Sequence, residues 1–188
     1  MSCGGRNAGL PENLNKAIVY DPVRLRRIWL AGGCFWGVQA FMARVPGVAD
    51  TVVGYANGHM PEPTYRQVCT GLTGHAETVE VAYDPGRISL IGLLDRFFSI
   101  IDPVSVNKQG EDTGTQYRTG IYYRDPADGD AARAFIADEQ ARYSRPIAVE
   151  VLPLSGFYPA EEYHQDYLEK NPGGYCHVDM GKLGLPPR

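Results

Sequence analysis

Residues 28–43 read Ile-Trp-Leu-Ala-Gly-Gly-Cys-Phe-Trp-Gly-Val-Gln-Ala-Phe-Met-Ala, and this stretch joins two different secondary-structure patterns. Its apolar beginning, residues 28–31, is typical of a buried strand, whereas residues 38–43 are typical of a helix. The run Gly-Cys-Phe-Trp-Gly at 33–37 lies between them. The sequence therefore places the thiol of Cys34 where a strand ends and a helix begins.

The position of Cys34 suggests a reactive thiol. The first turn of a helix presents unpaired N–H groups and a partial positive charge, which stabilise a thiolate. We therefore predict that the pKa of the Cys34 thiol is lowered. Phe35 and Trp36 follow directly and would wall an apolar pocket beside the sulfur. The alternative is an inert cysteine in the core with two core aromatics, because free cysteine is among the most buried residue types.

Strand and helix patterns alternate along the chain and predict a two-layer α/β domain. We expect strands at 25–31, 48–55, 75–83, 117–123 and 147–152. Helices are expected at 36–44, 64–69, 89–98, 126–142 and 159–168. The segment 102–115 has no pattern of its own, and such a loop in a compact domain is usually functional.

The predicted organisation is one domain with a loose N-terminal end. Residues 1–24 are predicted to form a flexible arm, and residues 25–188 a single catalytic domain. The end of that domain, after Asn-Pro-Gly-Gly at 171–174, is expected to be an irregular tail that carries Cys176.

Composition excludes several classes of function. The chain has 188 residues, 18 basic and 22 acidic side chains, and a net charge of −4. A nucleic-acid-binding surface needs a basic stripe, but the longest basic run is Arg26-Arg27. Neither a membrane span of ~20 apolar residues nor a signal peptide is evident. We therefore expect a cytoplasmic protein that binds neither nucleic acid nor membrane.

The cysteines are widely spaced, and none forms a C-x-x-C pair: Cys3, Cys34, Cys69 and Cys176. Because the cytosol is reducing, a structural disulfide is not expected, and these cysteines are either inert or redox-active. His75-Ala76-Glu77 matches the first half of a zinc deaminase signature, but the second half, P-C-x-x-C, is missing. We therefore predict no metal site.

Glu77 and two tyrosines are candidate polar groups of a reaction site. Glu77 shares a strand face with Val79 and Val81, and burial there would raise the pKa of its carboxyl. A carboxyl that holds its proton at neutral pH suits a general acid. Tyr55 and Tyr117 lie at strand ends, where their hydroxyls can hold an oxygen atom by hydrogen bonding. The alternatives are a glutamate that points outward at a strand end and two core or rim tyrosines.

Three further polar residues are weaker candidates. Asp112 lies in the loop 102–115, where a solvated carboxylate is the ordinary interpretation. Glu161 and His164 are three positions apart in a predicted helix, so they would share one face. That pair would orient a functional group or form a surface ion pair.

These residues belong to motifs that resemble the peptide methionine sulfoxide reductase A family. The resemblance covers roughly residues 26–178 and rests on motifs that occur in the family's order. They are G-C-F-W-G at 33–37, V-G-Y at 53–55, G-L-T-G-H-A-E at 71–77, Q-G-E-D-T-G-T-Q-Y-R at 109–118, F-Y-P-A-E-E-Y-H-Q-D-Y-L at 157–168 and N-P-G-G-Y-C at 171–176.

The resemblance implies a fold and a chemistry. The fold is a two-layer sandwich with a mixed sheet and a ferredoxin-like core. Cys34 attacks the sulfur of a methionine sulfoxide as a thiolate, and Glu77 supplies a proton. Tyr55 and Tyr117 hold the sulfoxide oxygen.

The resemblance also implies how the substrate is recognised. Phe35 and Trp36 enclose the methyl group, which selects the S epimer. Asp112, Glu161 and His164 lie on the substrate side of the site.

The resemblance further implies how Cys34 returns to its reduced state. Cys34 becomes a sulfenic acid, Cys176 condenses with it to a disulfide, and thioredoxin reduces that disulfide. No bound cofactor is needed, and the cycle works in a monomer. The substrate is free methionine sulfoxide or an oxidised protein.

The tail departs from the family pattern, because many members carry a further recycling cysteine that residues 181–188 lack. Cys3 is a distant alternative resolving cysteine, and Cys69 is interpreted as structural.

Two other functions stay open from the residues alone. A cysteine acyl transferase or hydrolase would use Cys34 with His75 or His164 as its base, and it would not need Cys176. A redox-sensing domain would form the disulfide but turn over no substrate.

Overall fold

The computed structural model describes residues 10–184 and shows a six-stranded mixed sheet with helices packed against it. The strands run, in chain order, over β1 Arg26–Gly32, β2 Val48–Ala56, β3 Ala76–Tyr83, β4 Lys108–Gln109, β5 Asp112–Thr113, β6 Thr119–Tyr123, β7 Glu150–Pro153 and β8 Phe157–Pro159. The sheet order is β7-β6-β1-β3-β2-β8, and β4 pairs only with β5.

Four central strands and two helices form the predicted ferredoxin-like core. The strands β1, β2, β3 and β6 lie in the order β6-β1-β3-β2, with antiparallel pairing between neighbours. One helix connects β1 to β2 and another follows β3 before β6, which gives a βαββαβ unit. The parallel strand β7 and the antiparallel strand β8 extend the sheet at its two edges.

The α-helices are α1 Phe35–Met42, α2 Tyr65–Val68, α3 Leu90–Phe98, α4 Pro126–Glu139 and α5 Tyr167–Lys170. Short 3-10 helices run over Leu14–Ala17, Pro22–Arg24, Thr115–Tyr117, Gln140–Arg142, Glu162–His164 and Met180–Gly184. Side-chain caps begin three of the helices: Thr64 before α2, Ser89 before α3 and Asp125 before α4. These caps explain why the sequence indicated the starts of α3 and α4 well.

The helices cover one face of the sheet and form the main core there. Helix α1 supplies Phe41 and Met42, α3 supplies Phe97 and Phe98, and all four side chains are fully buried. A smaller cluster, defined by Trp29, Ala31, Ala56, Ala76 and Tyr122, forms a second buried patch. Since Glu77 and Ala76 are consecutive in β3, they point to opposite faces, and Glu77 shares the face of Val79.

Three sequence predictions of secondary structure differ from the structure. The helix expected at 159–168 is absent because residues 157–159 pair with β2 as an edge strand. The chain then forms a single 3-10 turn at Glu162–His164, and Asp166, at φ +52°, separates that turn from α5. The loop expected at 102–115 contains the β4–β5 hairpin, and Tyr117 ends a 3-10 helix rather than starting a strand.

The described part of the N-terminal segment is tied to the end of α1 through Asn15. Its side-chain amide donates to the carbonyl oxygens of Ala43 and Val45, both at 2.9 Å. Its carbonyl oxygen accepts from the Tyr20 hydroxyl and from the Gly47 backbone N–H. Residues 1–9 lie outside the described part, so the division of the chain at residue 24 stays a prediction.

No helix within residues 10–184 has both the length and the apolar character needed to cross a bilayer.

Replacing Asn15 with alanine should destabilise the fold. The change removes four hydrogen bonds and takes away the acceptor of the buried Gly47 N–H, so we expect a loss of about 2–3 kcal/mol in the free energy of unfolding. Urea denaturation followed by circular dichroism measures it. Asn13→Ala is the matched control, because Asn13 only caps the local turn and its loss should cost about 1 kcal/mol or less. Equal losses for both variants would contradict the proposed tie.

Candidate active site

Cys34 is the residue immediately before α1, at the end of β1, as the sequence predicts. The turn depends on glycine, since Gly33 has φ +84° and a Cβ there would lie 2.5 Å from the Cβ of Gln109. The Cys34 side chain is 8% exposed, so the thiol is nearly enclosed.

The predicted lowering of the Cys34 pKa is wrong. Burial raises the pKa of the Cys34 thiol, and the nearby carboxylate charge of Glu77 raises it further. The Trp36 backbone N–H in the first turn of α1 acts in the opposite direction but is outweighed. Position at a helix start therefore does not decide the ionisation here, because the sulfur is desolvated and faces a carboxyl group.

Glu77 is buried beneath the first turn of α1. Its side chain is 2% exposed, and its Oε2 accepts a hydrogen bond of 3.1 Å from the Phe35 backbone N–H. Burial raises the pKa of the Glu77 carboxyl to about 8, despite that hydrogen bond. The expectation of a buried glutamate with a raised pKa is confirmed, and the carboxyl holds a proton at neutral pH.

Tyr55 lies directly opposite Glu77 in the pairing of β2 with β3. Its fully buried hydroxyl donates to Glu161 Oε2 at 2.7 Å. The other oxygen, Glu161 Oε1, accepts from the Tyr65 backbone N–H at 2.9 Å. Burial would raise the pKa of Glu161, but these two donors outweigh it and lower the pKa. Glu161 is thus a carboxylate that fixes the Tyr55 hydroxyl, although the helical face predicted for it does not exist.

His164 is buried among the aromatic rings that adjoin Cys34. The Trp36 indole N–H donates to His164 Nδ1 at 3.1 Å, and the Phe35 ring centroid lies 5.3 Å from the imidazole. Burial lowers the pKa of His164, so the ring is neutral. Because its Nδ1 lone pair is occupied by Trp36, His164 orients the aromatic wall and does not serve as a base for Cys34.

Tyr117 and Asp112 approach the site from the segment between α3 and β6. Burial and the charges of Glu77 and Asp112 raise the pKa of the Tyr117 hydroxyl, which keeps it a donor. Asp112, in β5, accepts a hydrogen bond of 3.0 Å from the Tyr175 hydroxyl. The structure therefore brings both residues, which are remote in sequence from Cys34, to the same site.

Cys176 lies against the other end of the same helical turn. A Cβ added at Gly37 would lie 3.2 Å from Cys176 Sγ, so the absence of a side chain at Gly37 lets the sulfur approach α1. The three described cysteines are free thiols. Cys69 is exposed beside Tyr65 rather than in the core, and Cys3 lies outside the described residues.

His75 is the first residue of the half-motif His75-Ala76-Glu77 and a candidate base for Cys34. His75 is buried, and neither of its ring nitrogens has a hydrogen-bond partner among residues 10–184. In the same part of the chain, no three metal-ligating side chains are grouped.

Two further residues support the site, and both lie within the quoted motifs although no role is predicted for either from the sequence. Tyr167 stacks on Trp36 with ring centroids 3.8 Å apart. The Arg118 guanidinium donates to the Gly74 carbonyl oxygen at 3.0 Å, which fixes the chain just before Glu77. Their place in the motifs at 109–118 and 157–168 does not reveal their partners, so only the tertiary contacts show what each residue holds in place.

Comparison with known proteins gives consistent matches over most of the chain. A family model described as peptide methionine sulfoxide reductase matches residues 26–184. The peptide methionine sulfoxide reductase MsrA of Clostridium botulinum (strain Okra / Type B1) is 55% identical over 156 residues, which are 83% of this chain and 99% of that protein.

Two solved structures of Saccharomyces cerevisiae Mxr1 match the fold. The reduced form has a TM-score of 0.81 and 39% identity, covering 89% of this chain and 98% of that chain. Mxr1 in complex with Trx2 has a TM-score of 0.58 and 31% identity, covering 81% of this chain and 91% of that chain.

These matches exclude a cysteine hydrolase, in agreement with the engaged imidazole of His164. The family model spans more than half of the chain, and the bacterial relative is matched along nearly its whole length. The chain therefore belongs to the peptide methionine sulfoxide reductase family, and it is an enzyme of the MsrA type.

Proposed function

We propose that this methionine sulfoxide reductase acts on the S epimer through a sulfenic acid on Cys34, a Cys34–Cys176 disulfide and reduction by thioredoxin. The observation that carries the proposal is the buried Glu77 carboxyl, which is held beside the start of α1 and has a pKa of about 8. A proton stored beside a thiol is what reduction of a sulfoxide requires, since the oxygen must be protonated.

The first step transfers the sulfoxide oxygen to Cys34. The Cys34 sulfur attacks the substrate sulfur while the Glu77 carboxyl donates its proton to the oxygen. The Cys34 proton then passes to the Glu77 carboxylate. The hydroxyl group shifts from the substrate sulfur to the Cys34 sulfur, so the substrate S–O bond and the transient bond between the two sulfurs break as the new S–O bond forms. Methionine leaves as the thioether, Cys34 is a sulfenic acid, and Glu77 regains its proton.

This order of events explains how the Cys34 sulfur can attack although its pKa is raised. The carboxylate charge of Glu77 opposes a thiolate, so Glu77 and Cys34 do not both lose their protons at neutral pH. Exchange of one proton between the two groups makes the sulfur nucleophilic only when a basic oxygen is present to receive the proton of Glu77.

The walls of the site supply selectivity. Phe35 and Trp36, oriented through His164, enclose the methyl group on the substrate sulfur. Tyr55, held by Glu161, and Tyr117 bound the side on which the oxygen lies. Of these two hydroxyls, Tyr117 is the donor to the oxygen, because the one O–H of Tyr55 is donated to Glu161. A chiral sulfoxide placed between the apolar wall and this pair of tyrosines fits in one epimer. Asp112 lies at the rim, where it receives the Tyr175 hydroxyl and can accept an N–H of the substrate.

The second step returns Cys34 to the reduced state. Cys176, on the tail packed over Gly37, attacks the sulfenic sulfur, and water leaves as the disulfide forms. The complex of Mxr1 with the thioredoxin Trx2 supports thioredoxin as the reductant of that disulfide. Neither step needs a bound cofactor. Free thiols and this electron source fit a cytoplasmic monomer that repairs oxidised proteins or reduces the free amino acid.

Turnover of separate epimers is the direct test of the function. With thioredoxin, its reductase and NADPH, we expect steady oxidation of NADPH with methionine-S-sulfoxide and none above background with the R epimer. Equal turnover of both epimers would contradict the proposed site walls. Turnover with dithiothreitol but not with thioredoxin would contradict the proposed electron source.

Glu77→Gln should slow the first step by about 10²–10⁴-fold, because the amide cannot donate an acidic proton. For the wild type, the second-order rate of methionine formation in a single turnover should fall above a pH of about 8, where the carboxyl loses its proton. Rapid quench at several pH values measures both effects.

Glu80→Gln is the matched control, since Glu80 is on the opposite face of β3 and bonds the Trp29 indole. A wild-type rate that keeps rising above pH 9, or an equal loss in both variants, would rule out Glu77 as the acid.

Serine substitutions distinguish the roles of the three described cysteines. Cys34→Ser should form no methionine, and Cys176→Ser should form about one methionine per enzyme and then stop with thioredoxin. Cys69→Ser is the control and should cycle normally, because Cys69 is exposed. Sustained cycling by Cys176→Ser would assign the resolving role to another cysteine.

A further inference from the structure

The tail that carries Cys176 is bound to the turn that carries Cys34 by the next residue, His177. The Nε2 atom of His177 lies 3.1 Å from the carbonyl oxygen of Gly32, the last residue of β1. The ring also borders Gly33, since a Cβ there would lie 3.2 Å from His177 Nε2. His177 thus contacts the two residues that precede Cys34, while Cys176 contacts Gly37 in the first turn of α1, after Cys34.

The chemistry of this contact fixes the tautomer of His177. A carbonyl oxygen only accepts, so Nε2 must carry the hydrogen and Nδ1 the lone pair. The Nδ1 atom is buried and has no hydrogen-bond partner within residues 10–184. Burial lowers the pKa of His177, in keeping with a neutral ring. The contact is therefore a neutral hydrogen bond, which another neutral donor at the same position can reproduce.

Two other tail contacts differ from this one. The Tyr175 hydroxyl donates to Asp112, but that bond is exposed to solvent and involves a substrate-side residue. Lys182 donates to the Ser99 carbonyl oxygen at 2.6 Å, at the end of α3 and away from the nucleophile turn. Only the His177 contact among these three joins the resolving segment to the backbone that carries Cys34.

We propose that His177 is a positioning residue that docks the Cys176 segment on the nucleophile turn and so speeds disulfide formation. This proposal rests on the proposed function, in which Cys176 resolves the sulfenic acid. The protein without the dock would still reduce the sulfoxide, because the Glu77 and aromatic contacts of the first step do not involve His177.

The affected step is the condensation of the two sulfurs. The Cys176 sulfur bonds to the Cys34 sulfur, and the Cys34 S–O bond breaks. The hydroxyl group leaves with the Cys176 proton as water. The chain has then lost two electrons to the substrate, and thioredoxin returns them. A tethered thiol reacts at a rate set by its effective concentration, which falls when the tail is free to leave the turn.

The test measures two rates in one rapid-quench experiment without thioredoxin. Methionine release reports the first step, which also consumes the Cys34 thiol, and loss of the second thiol, that of Cys176, under acid alkylation reports the disulfide. His177→Leu should slow disulfide formation about 5–10-fold, the effect of losing one hydrogen bond, and leave methionine release within about twofold. His177→Gln should restore near-normal disulfide formation, because its amide N–H can occupy the place of Nε2–H.

Lys182→Met is the matched control, since it also removes a donor from the tail to a backbone carbonyl. It should leave both rates unchanged. Docking would be overturned if His177→Gln and His177→Leu slowed disulfide formation equally, or if His177→Leu left its rate unchanged. It would also be overturned if Lys182→Met slowed disulfide formation as much as His177→Leu.

The wild type in the same experiment separates the two proposals. A wild type that releases methionine without forming the Cys34–Cys176 disulfide, shown by peptide mapping, would refute the proposed function irrespective of His177. A wild type that forms the disulfide, beside variants that form it equally fast, would refute only the docking role.

Discussion

The hydrogen bond from the Phe35 N–H to the Glu77 carboxyl joins the central strand β3 to the first turn of α1. It places a desolvated carboxyl close to Cys34. In the proposed mechanism, the proton donor and the attacking sulfur are thus held by adjacent elements. The same burial that raises the pKa of Glu77 also raises the pKa of Cys34. Burial therefore favours the protonated form of both groups, and in the proposed mechanism the substrate oxygen starts the proton exchange.

Around Glu77 and Cys34, burial and hydrogen bonds also set the ionisation of the neighbouring residues. Glu161 is a carboxylate because backbone and hydroxyl donors converge on it, and it holds the buried Tyr55 hydroxyl. His164 is neutral because it is buried, and it accepts the Trp36 N–H. The pKa is lowered in both residues, which leaves Glu161 charged and His164 neutral. Each fixes one wall of the pocket through a hydrogen bond to a residue of the family motifs.

In the proposed mechanism, disulfide formation depends on how closely the tail approaches α1. Gly37 has no side chain where the Cys176 sulfur packs, and Gly33 has none where His177 lies. A pair of glycines on either side of Cys34 therefore lets one short segment reach the nucleophile from both sides. The N-terminal segment stabilises the opposite end of α1 through Asn15, and it precedes the region that matches the family model.

The sequence by itself determined the strand–turn–helix that carries Cys34, the periodicity that buries Glu77, and the family to which the motifs belong. These features are local or rest on the order of motifs. The helix expected at 159–168 failed because pairing of residues 157–159 with β2 outweighed helical periodicity. The Cys34 pKa was predicted with the wrong sign because desolvation and the charge of Glu77 come from packing, and residue spacing does not reveal them. Only the tertiary structure decided which partners Glu161, His164 and His177 contact, since each bond joins segments far apart in the chain.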